Sequence, residues 1–309
     1  MSISQENIDR SMFDKLPDSE KQLNEIVRPS LSYGQDAWRR LKKNPYAISG
    51  LVYVVFITLV AIFAGQLTPY NYFSQNLQAA NIGPTASHWF GVDHFGRDIL
   101  TRVIFGARIS MIVAYASTLI ILTVGVLYGA ISAYVGGRTD NIMMRILDVL
   151  SGIPSLLYLI LLMVTLGPGL LSIIIAMGMT GWIGMARMVR AEVFKIKEQE
   201  YVLASRALGT SKMKTMFKHL LPNSMGVILV NLTFAVPTAI FSEAFLSFLG
   251  LGVSAPQASW GMLASEAVGV FMTYPYQLFF PSLAICLTIL AFNFLGDGLR
   301  DALDPQMRK

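Results

Sequence analysis

Few residues in this chain are of a type that does chemistry, and none stands in a catalytic arrangement. Histidine occurs three times, as His88, His94 and His219, scattered too widely to form a metal-ligand cluster. The single cysteine, Cys286, lies inside an apolar run, with no partner for a disulfide or a metal site. Asp93 and Asp98 sit close to Arg97 and Arg102. With no base or metal beside them, they read as a structural salt-bridge knot. A serine nucleophile needs a nearby base, and no histidine falls within an apolar run, which counts against an intramembrane protease. The sequence contains no Gly-x-x-x-x-Gly-Lys-Ser/Thr, so it has no phosphate cradle of that kind. The expectation is a non-catalytic chain that binds no cofactor or metal.

Four polar residues inside or beside apolar runs are candidates for a pathway or gate: Asp148, Asn231, Glu243 and Asn293. A carboxylate such as Glu243 is expensive in hydrocarbon and marks a functional site by default. It either lines a path or forms a hydrogen-bonded structural group. With Ser242 and Ser247 beside it, the structural role is favoured. Asp148 has Arg145 one turn earlier, which fits a local ion pair or a gating group. Asn231 and Asn293 could bond across helices or touch a substrate backbone.

The elements that would hold these groups are apolar. Hydrophobic residues make up 54% of the 309 and charged residues only 14%, against about 25% in an average soluble domain. Too few charges remain to cover a water-facing surface, so the bilayer is the solvent. A hydrocarbon core about 30 Å thick needs roughly 20 apolar residues in a helix. Six such runs occur, at about 46–67, 110–135, 141–166, 170–186, 225–250 and 276–296. The expectation is an all-α polytopic membrane protein with six transmembrane helices. Spanning segments must satisfy their backbone internally, and the runs are too long for barrel strands. Pro154, Pro237 and Pro281 fall inside runs and are read as tolerated there. Residues 1–40 form a polar N-terminal tail, expected to be cytoplasmic, and 306–309 a short C-terminus.

The charges between the runs set an orientation. With both termini inside, 18 Lys and Arg flank the helices on the cytoplasmic side and 3 lie outside. This bias predicts an N-in, C-in topology. It also explains the net charge of +5 without nucleic acid as a partner. The three exceptions, Arg97, Arg102 and Arg108, cluster in the long outside segment 68–108. A second outside segment covers about 251–275, and a long inside loop covers 187–224.

That inside loop is the most informative stretch. Leu203, Ala204, Ala207 and Leu208 sit at helical spacing, and Gly209 can end the helix with a positive φ. Thr210 or Ser211 could cap a second short helix. Met213, Met216, Phe217 and Leu220 would form its apolar side, with Pro222 ending it. Such a knob fits an amphipathic hairpin resting on lipid, or an element that docks into a partner's groove.

The loop resembles the cytoplasmic "EAA" loop of ATP-binding-cassette importer permeases. That pattern is Glu-Ala-Ala, three residues, Gly, nine residues, Ile, one residue, Leu-Pro. Aligned on Gly209, the residues Ala204, Gly209, Leu221 and Pro222 match, while Leu203, Ser205 and His219 depart. Gly91-Val-Asp93, Gly96-Arg97-Asp98 and Gly106-Ala-Arg108-Ile-Ser110 look like the segment before the second helix in the dipeptide, oligopeptide and nickel branch. Asp148 with Pro154, Glu243-Ala244, Leu246 to Gly252 and Trp260-Gly261 also fit that branch. The resemblance covers about 41–305 and is greatest to the C-type subunit of oligopeptide importers.

The resemblance implies a permease domain over 41–305 in a bacterial inner membrane, forming half of a translocation pathway. It implies a second homologous permease, two cytoplasmic ATPases that use ATP and magnesium, an extracellular substrate-binding protein and a peptide cargo. It places ATPase coupling on Glu200, Leu203, Ala204, Ser205, Ala207, Leu208, Gly209, His219, Leu221 and Pro222. Dipeptides or nickel chelates are alternative cargoes. From another class, an ion-coupled secondary transporter would show paired repeats and midplane charges, and no repeat is found here.

Overall fold

The computed structural model describes residues 33–254 and 256–303. The chain divides into two units, Met1–Asp36 and Ala37–Lys309. Of the first, only 33–36 are described, as the opening of a helix, so most of the expected tail lies outside the described residues. Among the described residues the structure is helical, apart from one isolated bridge between Val92 and Asp98.

The helices follow in order: α1 (Tyr33–Leu41), α2 (Pro45–Ile62), α3 (Ile99–Val135), α4 (Gly137–Ser151), α5 (Ser155–Leu166) and α6 (Leu170–Lys197). Then come α7 (Glu200–Ala207), α8 (Lys212–Thr215), α9 (Leu221–Phe248), α10 (Trp260–Val268) and α11 (Tyr276–Leu303). Helices α2, α3, α6, the continuous stretch Lys212–Phe248 and α11 are long and apolar enough to cross a membrane. They give five candidate spans, or six if the bent pair α4–α5 counts as one.

Several helices outrun their apolar cores. Helix α3 has 37 residues, where the apolar run predicts a start at 110. At 1.5 Å per residue it is roughly 55 Å long, against a core of about 30 Å. Its true start is capped by Asp98, whose side chain accepts from the Thr101 amide. Helix α6 runs on past 186 to Lys197, which shortens the expected inside loop.

The third expected span, 141–166, is not one helix. It breaks between α4 and α5 with an 80° bend. Pro154 has no N–H to continue the ladder and disfavours helical backbone at Ile153 before it. Helices α9 and α11 run straight through Pro237 and Pro281, both buried. The difference lies in the flanks. The segment before Pro154 carries Arg138, Asp140, Arg145 and Asp148, whereas α5 carries no charged residue.

Close packing is set by glycine. Helices α3 and α6 meet where a Cβ on Gly129 would strike the Ala186 carbonyl and one on Gly125 would crowd Met185. Gly178 and Gly181 on α6 receive Ile120 and Ile121 in return. Helices α2 and α11 meet in the same way at Gly50 and Gly298. Small residues of this kind let membrane helices approach closely enough for dispersion to hold them.

At one end of the bundle, a segment with little regular structure, residues 68–98, is pinned by charge. Asp93 accepts from Arg97 and from Arg102, each at 2.7 Å. Glu266 of α10 closes the group, meeting Arg97 at 2.8 Å and Arg102 at 2.7 Å. Asp98 stands outside this knot, contrary to the sequence reading, and pairs with His88 at 2.9 Å. Two of the three arginines that break the charge rule are therefore buried and neutralised, while Arg108 stays exposed.

Removing one partner from such a group strands charge in a dry setting. Because Glu266 is partly exposed, Glu266→Gln is expected to cost about 2 kcal/mol, lowering the melting midpoint of the purified protein by roughly 5 °C. Arg108→Gln is the control and leaves the midpoint unchanged.

Candidate functional site

A cavity of about 440 Å³ opens among α5, α6 and α9, with Ile121 of α3 at its side. Its wall is mostly apolar. Asn231, Ala235, Thr238 and Ser242 line it from α9, at the 4, 3, 4 spacing of one helix face. Thr180, Gly181 and Gly184 line it from α6, and Ser155 from the first turn of α5. None of the lining residues is ionisable.

Of the four pathway candidates, only Asn231 faces this cavity. Glu243 is buried on the other side of α9. It accepts from Ser110 of α3 at 3.0 Å and from Ser247 at 2.8 Å. Ser110 also accepts the Trp260 amide, and the Trp260 indole donates to the Val103 carbonyl. The carboxyl thus sits in a closed network that ties α3, α9 and α10 together. Asn293 sits in α11, away from the lining residues.

Asp148 does not pair with Arg145 as the spacing predicts. Arg187 of α6 reaches it at 3.0 Å and Ser151 at 2.6 Å. Arg187 lies three residues after the lining residue Gly184 on α6, so the bridge lies near the cavity wall. A second bridge between α4 and α6 escaped the sequence reading. Asp140 is buried and accepts from Arg190 and from Ser132 of α3.

The loop after α6 begins at a firm anchor. Lys197 donates to the carbonyls of Ala133 at 2.9 Å and Tyr134 at 3.1 Å, capping the end of α3. Helix α7 then buries Val202 against Val193, Ile196, Met216 and Leu220. Its other apolar residues point away: Leu203 is half exposed and Leu208 is 87% exposed. Ala204 and Ala207 are exposed beside them. Gly209 takes φ +81° and ends the helix, and Ser211 caps α8 through the Lys214 amide.

The predicted apolar side of the second helix divides in two. Met216 and Leu220 are buried, while Met213 and Phe217 are exposed. Pro222 does not end the helix. A single π turn, Met216–Leu220, joins α8 to α9, and Pro222 lies in the first turn of α9. There a missing N–H costs little. Ser205 and His219, two of the three departures from the loop pattern, touch each other: Oγ lies 3.3 Å from Nε2. Ser205 also donates to Thr210 at 3.0 Å. The two departures meet in one polar contact, which a one-dimensional pattern cannot reveal.

Comparison with known proteins agrees with this geometry. The model for "Binding-protein-dependent transport system inner membrane component" matches residues 123–309, which contain the loop and every residue lining the cavity except Ile121. The chain belongs to this family. A second model, the N-terminal TM domain of oligopeptide transport permease C, matches residues 32–84 of this permease. The oligopeptide transport system permease protein OppC of Bacillus subtilis (strain 168) is 52% identical, over 98% of this chain and 100% of its own length. The dipeptide transport system permease protein DppC of the same organism is 51% identical, over 94% and 91%. Among solved structures, the MetNI methionine ABC transporter in inward-facing conformations matches with a TM-score of 0.55 and 21% identity. The match covers 67% of this chain and 98% of that one, so the two share a fold. The permease is a multi-pass membrane protein and a non-catalytic subunit of its transport system.

The Ser205–His219 contact is measurable in this permease. Ser205→Ala or His219→Ile alone is expected to cost about 1 kcal/mol. The double change is expected to cost less than the two together, because neither leaves the other's polar atom stranded. Thermal unfolding of the four proteins gives the coupling.

Proposed function

We propose that this permease is half of the translocation pathway of an ATP-driven oligopeptide importer, and that residues 200–222 couple it to a cytoplasmic ATPase. One observation carries the proposal: the two walls of the cavity are continuous with the two arms of an exposed apolar knob. Helix α6 passes the cavity at Met177 to Met185 and ends at the Lys197 anchor. Helix α8 runs through the π turn into α9, which passes the cavity at Asn231 to Phe245.

The knob is suited to a groove. Leu203, Leu208, Met213 and Phe217 are all at least half exposed. Helix-in-groove recognition uses apolar anchors of this kind on a short helix. A knob held by Val202 and by Lys197 moves with its helices rather than folding away from them. ATPases that close on ATP would draw the knob inward and carry α6 and α9 with it, opening or shutting the cavity at one end. A second permease of the same family supplies the facing wall, and an extracellular binding protein delivers the cargo. Peptide cargo is supported by the names of the oligopeptide and dipeptide relatives, and oligopeptides in particular by the match over residues 32–84.

The same reading makes α4–α5 one broken span, giving six spans with N-in and C-in topology in a bacterial inner membrane. The positive-inside bias supports it, because the loop end carries Arg138, Arg187, Arg190 and the lysines of α8. The Asp148–Arg187 bridge then lies at the cytoplasmic mouth, where parting α4 from α6 would break it.

Two experiments test the proposal. Ala204→Arg places a cation in the apolar knob. It is expected to abolish co-purification with the ATPases and to cut peptide-stimulated ATP hydrolysis about 10-fold or more, as burying an unpaired charge would. Unchanged values for both would remove the docking role. Thr238→Trp fills the cavity and is expected to stop peptide uptake by the complete transporter in proteoliposomes while the complex still assembles.

A further inference from the structure

A second, much smaller cavity of about 20 Å³ lies beside the charge knot. Four elements meet there: the segment before α3, α3 itself, α10 and α11. Its polar lining is Asp93, His94, Arg102, Glu266 and Gln277, and the rest of its wall is apolar.

Most of the polar atoms are already engaged. Asp93 Oδ1 accepts the amides of Phe95 and Arg97, and its Oδ2 accepts from the side chains of Arg97 and Arg102. Glu266 Oε2 accepts from both arginines. The Gln277 Nε2 donates to Asn81 at 2.8 Å and to the Val92 carbonyl at 3.5 Å. Three atoms of the lining residues are buried without a partner: Arg102 Nε, Gln277 Oε1 and His94 Nδ1. Arg102 and Gln277 are only 2% and 4% exposed. Among the described residues two other buried side-chain atoms share that condition, Thr101 Oγ1 and Thr118 Oγ1, and neither threonine lines this cavity. The unpaired atoms thus concentrate where there is space.

Native interiors pair nearly all such atoms, with protein or with ordered water. Arg102 Nε–H is a donor and Gln277 Oε1 an acceptor. His94 Nδ1 is either one, according to which ring nitrogen carries the proton. Arg102 Nη2 and Glu266 Oε1 add a donor and an acceptor, and His94 Nε2 takes the role that Nδ1 does not. The lining therefore calls for a ligand that both donates and accepts. Two arginines and two carboxylates already balance in the knot, so an ion gains nothing by entering. A water needs roughly 10–15 Å³, and the space is too small for an organic molecule.

We propose that a buried water molecule occupies this cavity and bridges Arg102 Nε, Gln277 Oε1 and His94 Nδ1. It accepts from Arg102 and donates to Gln277, and its third bond is made at His94 with either tautomer. Three bonds are typical of a buried water. The charge knot ties the segment before α3, α3 and α10. The water extends that joint to α11, which the knot does not reach.

A double-mutant cycle in the purified permease tests the bridge. His94→Phe and Gln277→Met each remove one end of it. If one water serves both, the two losses of unfolding midpoint are not additive, and the double variant falls short of their sum by about 2 °C or more. Thr118→Val combined with Gln277→Met is the control and is expected to be additive. Additive losses in the first pair overturn the proposal. Electron cryo-microscopy of the complete transporter, at a resolution that shows other buried waters, gives the second reading if a variant fails to fold. The expected result is one density peak within about 3 Å of all three atoms. No peak, a direct bond between these side chains, or density larger than a water or two overturns the proposal.

Discussion

A helix inside hydrocarbon has nowhere to stop, because a free backbone N–H or C=O there has no water to bond. The architecture of this permease follows from that constraint. Helices α3, α6, α9 and α11 each continue well past the roughly 20 residues a bilayer requires. Asp98 begins α3, and Lys197 closes its far end. The overhanging turns are stiff extensions of the spans. Two of them, the end of α6 and the stretch from Lys212, flank the loop that carries the exposed apolar knob.

The second consequence concerns charge. Among the described residues each buried carboxylate is closed by partners: Asp93 by two arginines, Asp98 by His88 and the Thr101 amide, Asp140 by Arg190 and Ser132, Glu243 by serines. Paired in this way they cost little and fix the angles between helices and loops. They also leave the cavity wall neutral. A conduit for varied peptides would be hindered by a fixed charge, which holds an opposite charge too well and repels a like one. The interior thus places its charges in joints and keeps them off the surface that cargo would meet.

Rigidity is distributed unevenly. The α3–α6 seam is locked by Gly125, Gly129, Gly178 and Gly181, where an added side chain would collide with the facing helix. The cavity side of α6 and α9 is open, and α5 reaches it only after the break at Pro154. In the proposed function, motion imposed at the knob would be carried along α6 and α9 without parting α6 from α3. The bridges of Asp148 and Asp140 to α6 fasten α4 to that moving part.

Much of this was legible in the sequence. The apolar runs gave the spanning helices, because the bilayer admits few other structures. Gly209 and Ser211 gave the turn between the knob's helices, because a positive φ and a side-chain cap are local requirements. The family pattern around Ala204, Gly209 and Leu221-Pro222 singled out the loop for which ATPase coupling is proposed. What the sequence left undecided were pairings between distant segments. Arg187 with Asp148, Arg190 with Asp140 and Glu266 with Arg97 depend on how each helix is rotated about its axis, which many side chains settle together. The same rotation turned Glu243 into a joint and Asn231 toward the cavity, although both lie in one apolar run. The break at Pro154 depended on flanking charge, and the Ser205–His219 contact on a fold that brings two short helices side by side. Local chemistry set the elements, and only their packing decided which polar groups are spent on structure and which are left to meet a substrate.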